Sequence, residues 1–284
     1  MKSLTYALVT PSFSLDLKRC ELLVESVARW AAPSLRHYLV IDRRDVPLFE
    51  HLRSARTELL IVEDIVPNWL VRMPGVRKFW FSFRTRPVRN WILQQMVKLA
   101  IPSAVKEDVL LYTDSDTFFI APFDPASFER DGRVPLFMET GQRGLLDYND
   151  SWHAQAARLV GIPAETGYDT SFVGNVICWR RDNAISLQQR IETVTGKRWT
   201  QAIATQSAFS EYTLYGVYVT QVLGEAASGH WYDGEIRTLN HWKPVPLDIA
   251  GLEALKTRRQ PHHHSAMISA KSLTAVSDIR KVFF

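Results

Sequence analysis

An α/β fold in a single domain, a mixed sheet flanked by helices, is what this sequence predicts, and three observations predict it. Apolar runs of strand length recur at residues 4–10, 37–41, 58–62 and 109–113, rich in β-branched and aromatic side chains. Helix-length segments separate the first three, which is the strand, helix, strand order of a parallel sheet. The 284 residues suit one large α/β domain, and their 46% hydrophobic content supplies a core that a disordered chain lacks.

The first strand, residues 4–10, ends at Pro11 and Ser12. Ser14 is placed to cap a helix reaching about residue 30, with Leu17, Leu22, Val24 and Val27 among its apolar positions and Pro33 beyond its end. Strand 37–41 is closed by Asp42, a short helix covers 45–54, and strand 58–62 is closed by Glu63 and Asp64. Right-handed crossovers put residues 10–12, Asp42 and Glu63–Asp64 on one sheet edge. Residues 90–101 read as a helix stopped by Pro102, with Ile92, Leu93, Met96, Leu99 and Ala100 on its buried side. Trp91, Gln94 or Gln95, and Lys98 share another stripe of that helix.

Beyond residue 120 the pattern gives a strand at 134–138, a loop at 141–150 and a helix at 152–160. A strand-like run at 172–179 is interrupted by Gly174-Asn175, which suggests a bulge or close backbone approach. Asp182 is placed to cap a helix reaching about 194. Ser210 is a plausible cap for a helix whose first turn holds Glu211. The rest carries His230, His241 with Lys243, and the run His262-His263-His264, with no sign of a separate domain.

The most informative stretch is strand 109–113, which runs straight into Asp114-Ser115-Asp116. Ligands collect past the carboxyl ends of parallel strands. In extended chain, Asp114 and Asp116 face the same side, and two close carboxylates repel unless a cation joins them. A hard divalent ion held by one or two carboxylates plus phosphates answers that need; a plain surface turn is the alternative.

Residues 65–106 contain no acid and eight bases: Arg72, Arg77, Lys78, Arg84, Arg86, Arg89, Lys98 and Lys106. Trp69, Phe79, Trp80, Phe81 and Phe83 are interleaved with them. Substrate phosphates, an anionic membrane surface and a solvated basic loop compete as explanations. The net charge of +4 is too small to argue for nucleic acid, and none is expected as a partner. Cys20 and Cys178 lie in apolar surroundings without metal or redox spacing, as reduced buried thiols do. The apolar run at the N-terminus is too short for a signal peptide, and no stretch approaches the roughly 18 residues of a membrane span. A cytoplasmic protein is expected, in contact with the inner membrane face by its surface.

With these residues in place, the chain resembles the GT-A nucleotide-sugar glycosyltransferases. It is most similar to bacterial members that pair a Gln-Gln-x-x-Lys-Leu-Ala helix, here residues 94–100, with Asp-Ser-Asp at 114–116 and Ser-Glu-Tyr-x-Leu-Tyr-Gly at 210–216. The resemblance spans about residues 90–245. It implies a Rossmann-like GT-A domain, with residues 1–116 binding the nucleotide-sugar and 117–284 holding the acceptor half and a C-terminal segment. Asp114 and Asp116 resemble the ligands of the metal, Mn²⁺ or Mg²⁺, and of the ribose. His241 resembles the C-terminal histidine that completes the metal site, with His230 as its substitute, and Lys243 resembles a diphosphate contact. Thr10, Pro11 and Asp42 lie where the family reads base and ribose. Lys98 lies where a helix residue meets the Asp turn or donor. Glu211 is the candidate base, with Asp169 and then Asp150 behind it; in a retaining enzyme Glu211 positions the acceptor instead.

The implied reaction moves a sugar from a nucleotide donor, a UDP-sugar favoured, to a glycan or lipid-linked acceptor in surface polysaccharide or glycoconjugate synthesis. The basic aromatic segment is expected on the acceptor side. Two other classes compete. A sugar nucleotidyltransferase wants a Gly-rich phosphate loop after the first strand, where Thr10-Pro11-Ser12-Phe13 has none. A non-catalytic module would bind an anionic glycan or membrane through residues 65–106.

Overall fold

The computed structural model describes residues 3–73, 75, 76, 78–145 and 148–284. The first half runs β1 (Tyr6–Ser12), α1 (Leu17–Trp30), β2 (Arg36–Ile41), α2 (Val46–Phe49), β3 (Thr57–Ile61), α3 (Val62–Ile65), β4 (Leu70–Arg72), β5 (Phe79–Ser82), β6 (Val88–Arg89), α4 (Asn90–Ala100), β7 (Val109–Tyr112) and β8 (Thr117–Phe119). There follow β9 (Val134–Phe137), α5 (Asn149–Val160), β10 (Ile177–Arg180), α6 (Arg181–Thr195), α7 (Trp199–Ala204), α8 (Glu211–Val217) and α9 (Gly224–Ser228). The chain ends with β11 (His230–Asp233), β12 (Thr238–His241), α10 (Ile249–Thr257), β13 (Ser265–Ile268) and α11 (Val276–Phe283).

The main sheet has the strand order β10-β7-β1-β2-β3. β7, β1, β2 and β3 are parallel, and β10 closes one edge antiparallel to β7. β1 is buried on both faces, which is why it reads as an unbroken apolar run. Its side chains alternate between two cores. Ala7 and Val9 join the cluster that holds Met96 and Val97 of α4, and Tyr6 and Leu8 join Leu23 and Val27 of α1. The parallel register gathers the carboxyl ends of β1, β2, β3 and β7 on one edge, as the crossover rule requires.

A second sheet, β12-β13-β8, starts where the Asp-Ser-Asp turn leaves the first. Leu252 and Leu255 of α10, with Ile279 and Val282 of α11, seal it against Phe118, Ala266 and Ile268. Between residues 65 and 106 the chain is not a loop. β4, β5 and β6 form a small antiparallel sheet, and α4 follows directly. Arg77 of that stretch lies outside the described residues.

Several boundaries differ from the pattern. Ser14 opens a 3₁₀ turn without a side-chain cap, and α1 starts at Leu17. α5 begins at Asn149, inside the stretch read as loop. Asp182 does not cap α6: it sits in the first turn, two places past the cap residue Arg180. The run at 172–179 is a strand only from Ile177, because Val176 takes a left-handed φ of 56°. The Ser210 hydroxyl does cap α8, accepting the Thr213 N–H at 3.2 Å. Gly216 of α8 has a steric reason: a Cβ there would sit 2.2 Å from Cγ of Phe172. Cys20 and Cys178 are buried free thiols. Among the described residues no helix is long and apolar enough to cross a membrane.

Candidate functional site

The carboxyl edge of the sheet is organised by one buried lysine. Lys98 sits on the last turn of α4, 4% exposed, and its ammonium reaches three partners. Nζ lies 3.0 Å from Glu211 Oε1 at the start of α8 and 3.3 Å from Asp114 Oδ1 after β7, and it donates to the Tyr212 hydroxyl at 3.0 Å. An ammonium has three donors, so the set is complete. Burial works against the charge, but the Asp114 and Glu211 carboxylates outweigh it and hold the amine well above its ordinary range. Gln95, one turn earlier, accepts the Glu211 backbone N–H at 3.0 Å. Two sequence motifs about 115 residues apart are thus one physical unit: the Gln and Lys of α4 hold the Glu and Tyr of α8.

Asp114, Ser115 and Asp116 form a turn rather than extended chain, closed by the Thr117 N–H on the Asp114 carbonyl at 3.1 Å. The two carboxylates therefore have separate anchors. Asp114, whose side chain is half exposed, points to Lys98. Asp116 Oδ2 accepts the Ala270 N–H at 2.8 Å. Burial, and then the charge of Asp114, push the Asp116 carboxyl up to about 6. A third carboxylate, Asp16, lies beside them with Ser115 as its hydrogen-bond partner; burial raises its pKa. Arg19 stands behind Asp116 and Asp16, tied to the Ile268 and Thr274 carbonyls at 2.9 and 3.0 Å. Among the described residues no three His, Cys, Asp or Glu side chains converge as a closed metal cage. The donor set suits an ion that takes most of its ligands from phosphate and water.

Two cavities flank this edge. One, of about 600 Å³, lies between residues 11–15, Asp42, Arg72, Trp80 and the first turns of α4. That is within the size range of small-molecule pockets. Arg72 fixes its rim, bonding Asn90 Oδ1 at 3.0 Å and pairing with Asp42 at 3.3 Å. Arg72 Nε and the Trp80 indole N–H, both in its wall, have no hydrogen-bond partner among the described residues. The second cavity, of about 170 Å³, is lined by Gln95, Lys98, Asp114, Trp152, Glu211 and Tyr212 among others. Trp91 and Gln94 line both, so the cavities adjoin. On the far side of the Asp turn, the strained Val176 follows Asn175, whose amide bonds Asn240 Oδ1 at 2.9 Å. A β-branched residue at positive φ costs about 1–3 kcal/mol, and such strain clusters at functional sites.

Pro11, Asp42, Lys98, Asp114 and Glu211 come together at one edge. Other expected residues do not. Thr10 is fully buried and bonds His37 Nε2 at 3.0 Å, so its side chain is core, because β1 runs on to Ser12 and leaves Thr10 inside a sheet covered on both faces. Asp169 lines neither cavity; its oxygens accept the backbone N–H groups of Gly141 and Arg143 at 3.1 and 3.3 Å, a loop clamp. Asp150 does the same for Gly167 and Tyr168. His230 is no ligand substitute: fully buried, it meets the Tyr215 hydroxyl through Nε2 and the Val134 carbonyl through Nδ1. His241 lies at the end of β12, with Nε2 on the Val245 carbonyl at 2.9 Å, and Lys243 is exposed beyond it. Sequence reasoning missed Asp16, Arg19 and Tyr212, and it named Arg72 only as one of eight bases in a run. Asp16 had a signal, since it lies just past the carboxyl end of β1. The particular roles of Arg72 and Tyr212 had none, because what defines them is a partner distant in sequence.

Burial lowers both His37 and His230 to about 3, so each stays neutral in the fold while the unfolded chain protonates near 6.5. Between those values the unfolded state binds more protons, so stability falls as pH drops below 6.5. Asp116 acts oppositely, because its folded carboxyl takes up a proton near 6. The smaller shifts of Asp16 and Asp42, upward, and of His153, downward, oppose one another, and the two fully buried histidines leave a net loss on the order of 2 kcal/mol between pH 7 and 5.5. Urea midpoints at the two pH values check this, and an unchanged or higher midpoint at pH 5.5 contradicts it.

No curated protein matches the chain. A family model described as a family of unknown function, DUF6492, matches residues 7–242, from β1 through the Asp turn and α8 to the end of β12. The match takes in every element that builds this edge apart from Ala270 and its neighbours, and the chain belongs to the DUF6492 family.

Proposed function

We propose that the protein is a metal-dependent glycosyltransferase of the GT-A type, moving a sugar from a nucleotide-diphosphate donor to a glycan or lipid-linked acceptor. The observation that carries this reading is the Lys98 bridge between Asp114 and Glu211, at the junction of a nucleoside-sized cavity and a smaller one. A catalyst of this kind needs a cation-binding carboxylate and a proton-accepting carboxylate held apart at a fixed spacing. The shared ammonium supports that arrangement: it neutralises two acids that would otherwise repel.

In this reading the larger cavity takes the nucleoside, with Pro11 in its wall and Asp42 accepting from ribose hydroxyls. Asp114 and Asp116 would hold Mn²⁺ or Mg²⁺, and their like charges and the raised Asp116 carboxyl fit a site that gains from a cation. The ion supplies stabilisation of negative charge on a departing nucleoside diphosphate. Glu211, lining the smaller cavity, accepts the acceptor hydroxyl proton, and Gln95, Lys98 and Tyr212 fix its position. Asp169 and Asp150 drop out as bases because their oxygens already accept backbone N–H groups.

A thermal-shift screen of nucleoside diphosphates and nucleotide-sugars, with and without Mn²⁺, tests the reading. One base is expected to raise Tm, and Mn²⁺ to enlarge the rise. Binding contributes about 2.7 kcal/mol at a hundredfold excess over Kd. If no nucleotide shifts Tm in either condition, the reading fails.

A further inference from the structure

From the small antiparallel sheet we infer that the outer face of β4, β5 and β6 is a docking surface for an anionic lipid bilayer. Along β5 the side chains alternate strictly. Trp80 and Ser82 are buried, and Trp80 lines the larger cavity from inside. Phe79 and Phe81 point outward at 39% and 42% exposure, and Phe83, just past the strand, is 72% exposed. Val71 of β4 pairs with Phe81 in register, so it shares the outer face. The Phe81 and Phe83 rings meet edge to face with centroids 5.0 Å apart. The solvent face of a strand is ordinarily polar, and a contiguous apolar patch marks an interaction site.

Charge fixes the kind of partner. Lys78, Arg84, Arg86 and Arg89 are exposed around these rings, and Arg89 pairs with Phe79 across the ladder. Among the described residues none of the four has an ion-pair partner, whereas Arg72, on the same sheet, is paired inward with Asp42. No acid occurs between residues 65 and 106. Insertable aromatics ringed by unpaired cations complement the acyl boundary and headgroups of an anionic leaflet. A docked sheet would bring the cavity behind Trp80 next to the headgroups. The inference does not depend on glycosyl transfer.

Flotation with vesicles tests it. The protein is expected to float with equimolar phosphatidylcholine and phosphatidylglycerol, not with phosphatidylcholine alone, and to be released by high salt. Each basic residue near the surface is worth about fivefold in binding, so the triple variant R84Q/R86Q/R89Q should bind about a hundredfold more weakly. F83S, at the most exposed ring and hence neutral for folding, should weaken binding about tenfold; circular dichroism and Tm control for the fold. No flotation with the anionic vesicles overturns the proposal. So does binding that survives both variants, or capture by soluble heparin in place of vesicles, which would assign the same cations to an anionic glycan.

Discussion

Lys98→Met is expected to destabilise the protein by about 3–5 kcal/mol at neutral pH, the range for a buried pair that loses one partner. Methionine keeps the length and burial of the side chain, so packing changes little. The loss is electrostatic. Glu211 Oε1, with its side chain only 6% exposed, would face Tyr212 and Asp114 without a cation. Asp114 loses less, because half of its side chain already meets water. The sign follows from the direction of the lysine shift. A folded amine titrating above its ordinary range stabilises fully at every pH below that range, and the contribution disappears only in strong alkali. The double variant Lys98→Met/Glu211→Gln removes both charges and should recover most of the loss. Urea denaturation of the two singles and the double gives the coupling energy directly. A single-variant loss below about 1 kcal/mol would mean that the ion pair is relaxed by water and that Lys98 does not organise the edge.

How far the sequence reveals this edge depends on the range of the interaction. β1, β2, β3 and β7 are legible because burial on both faces forces unbroken apolar runs, and their crossovers follow from handedness alone. Asp42 and Asp114 follow, because they end such strands. Thr10 misleads because the strand does not end there: β1 runs on to Ser12 and leaves Thr10 inside the sheet against His37. Asp169 and Asp150 look like spare acids in sequence and are loop clamps in space. β4, β5 and β6 hide because two to four residues are too few for periodicity, so the alternation of Trp80 with Phe79 and Phe81 reads only as aromatic clutter. The C-terminal elements hide similarly. β13 pairs with β8 across about 150 residues, and nothing local in Ser265–Ile268 announces that the Asp116 loop lies beside it.

Under the proposed function, Asp114→Asn and Asp116→Asn are expected to lower turnover by at least about a thousandfold each, since each removes charge from the proposed cation site rather than shape. Their effects on the unliganded protein should differ, and the difference separates chemistry from folding. Asp116 is half-buried, its carboxyl is already pushed up to about 6, and Oδ2 accepts the Ala270 N–H, which an amide oxygen also does. Its replacement should leave Tm unchanged or raise it. Asp114 is one of the two carboxylates paired with Lys98, so its replacement should lower Tm while Glu211 still holds the ammonium. A calorimetric titration with Mn²⁺ and a nucleoside diphosphate should then show binding by the wild type and by neither variant. If Asp116→Asn keeps the manganese response, the cation does not sit on this turn. If Asp116→Asn instead destabilises the protein as much as Lys98→Met does, the carboxylate belongs to the scaffold, with Arg19 as its partner, and the acid pair has no ion to hold.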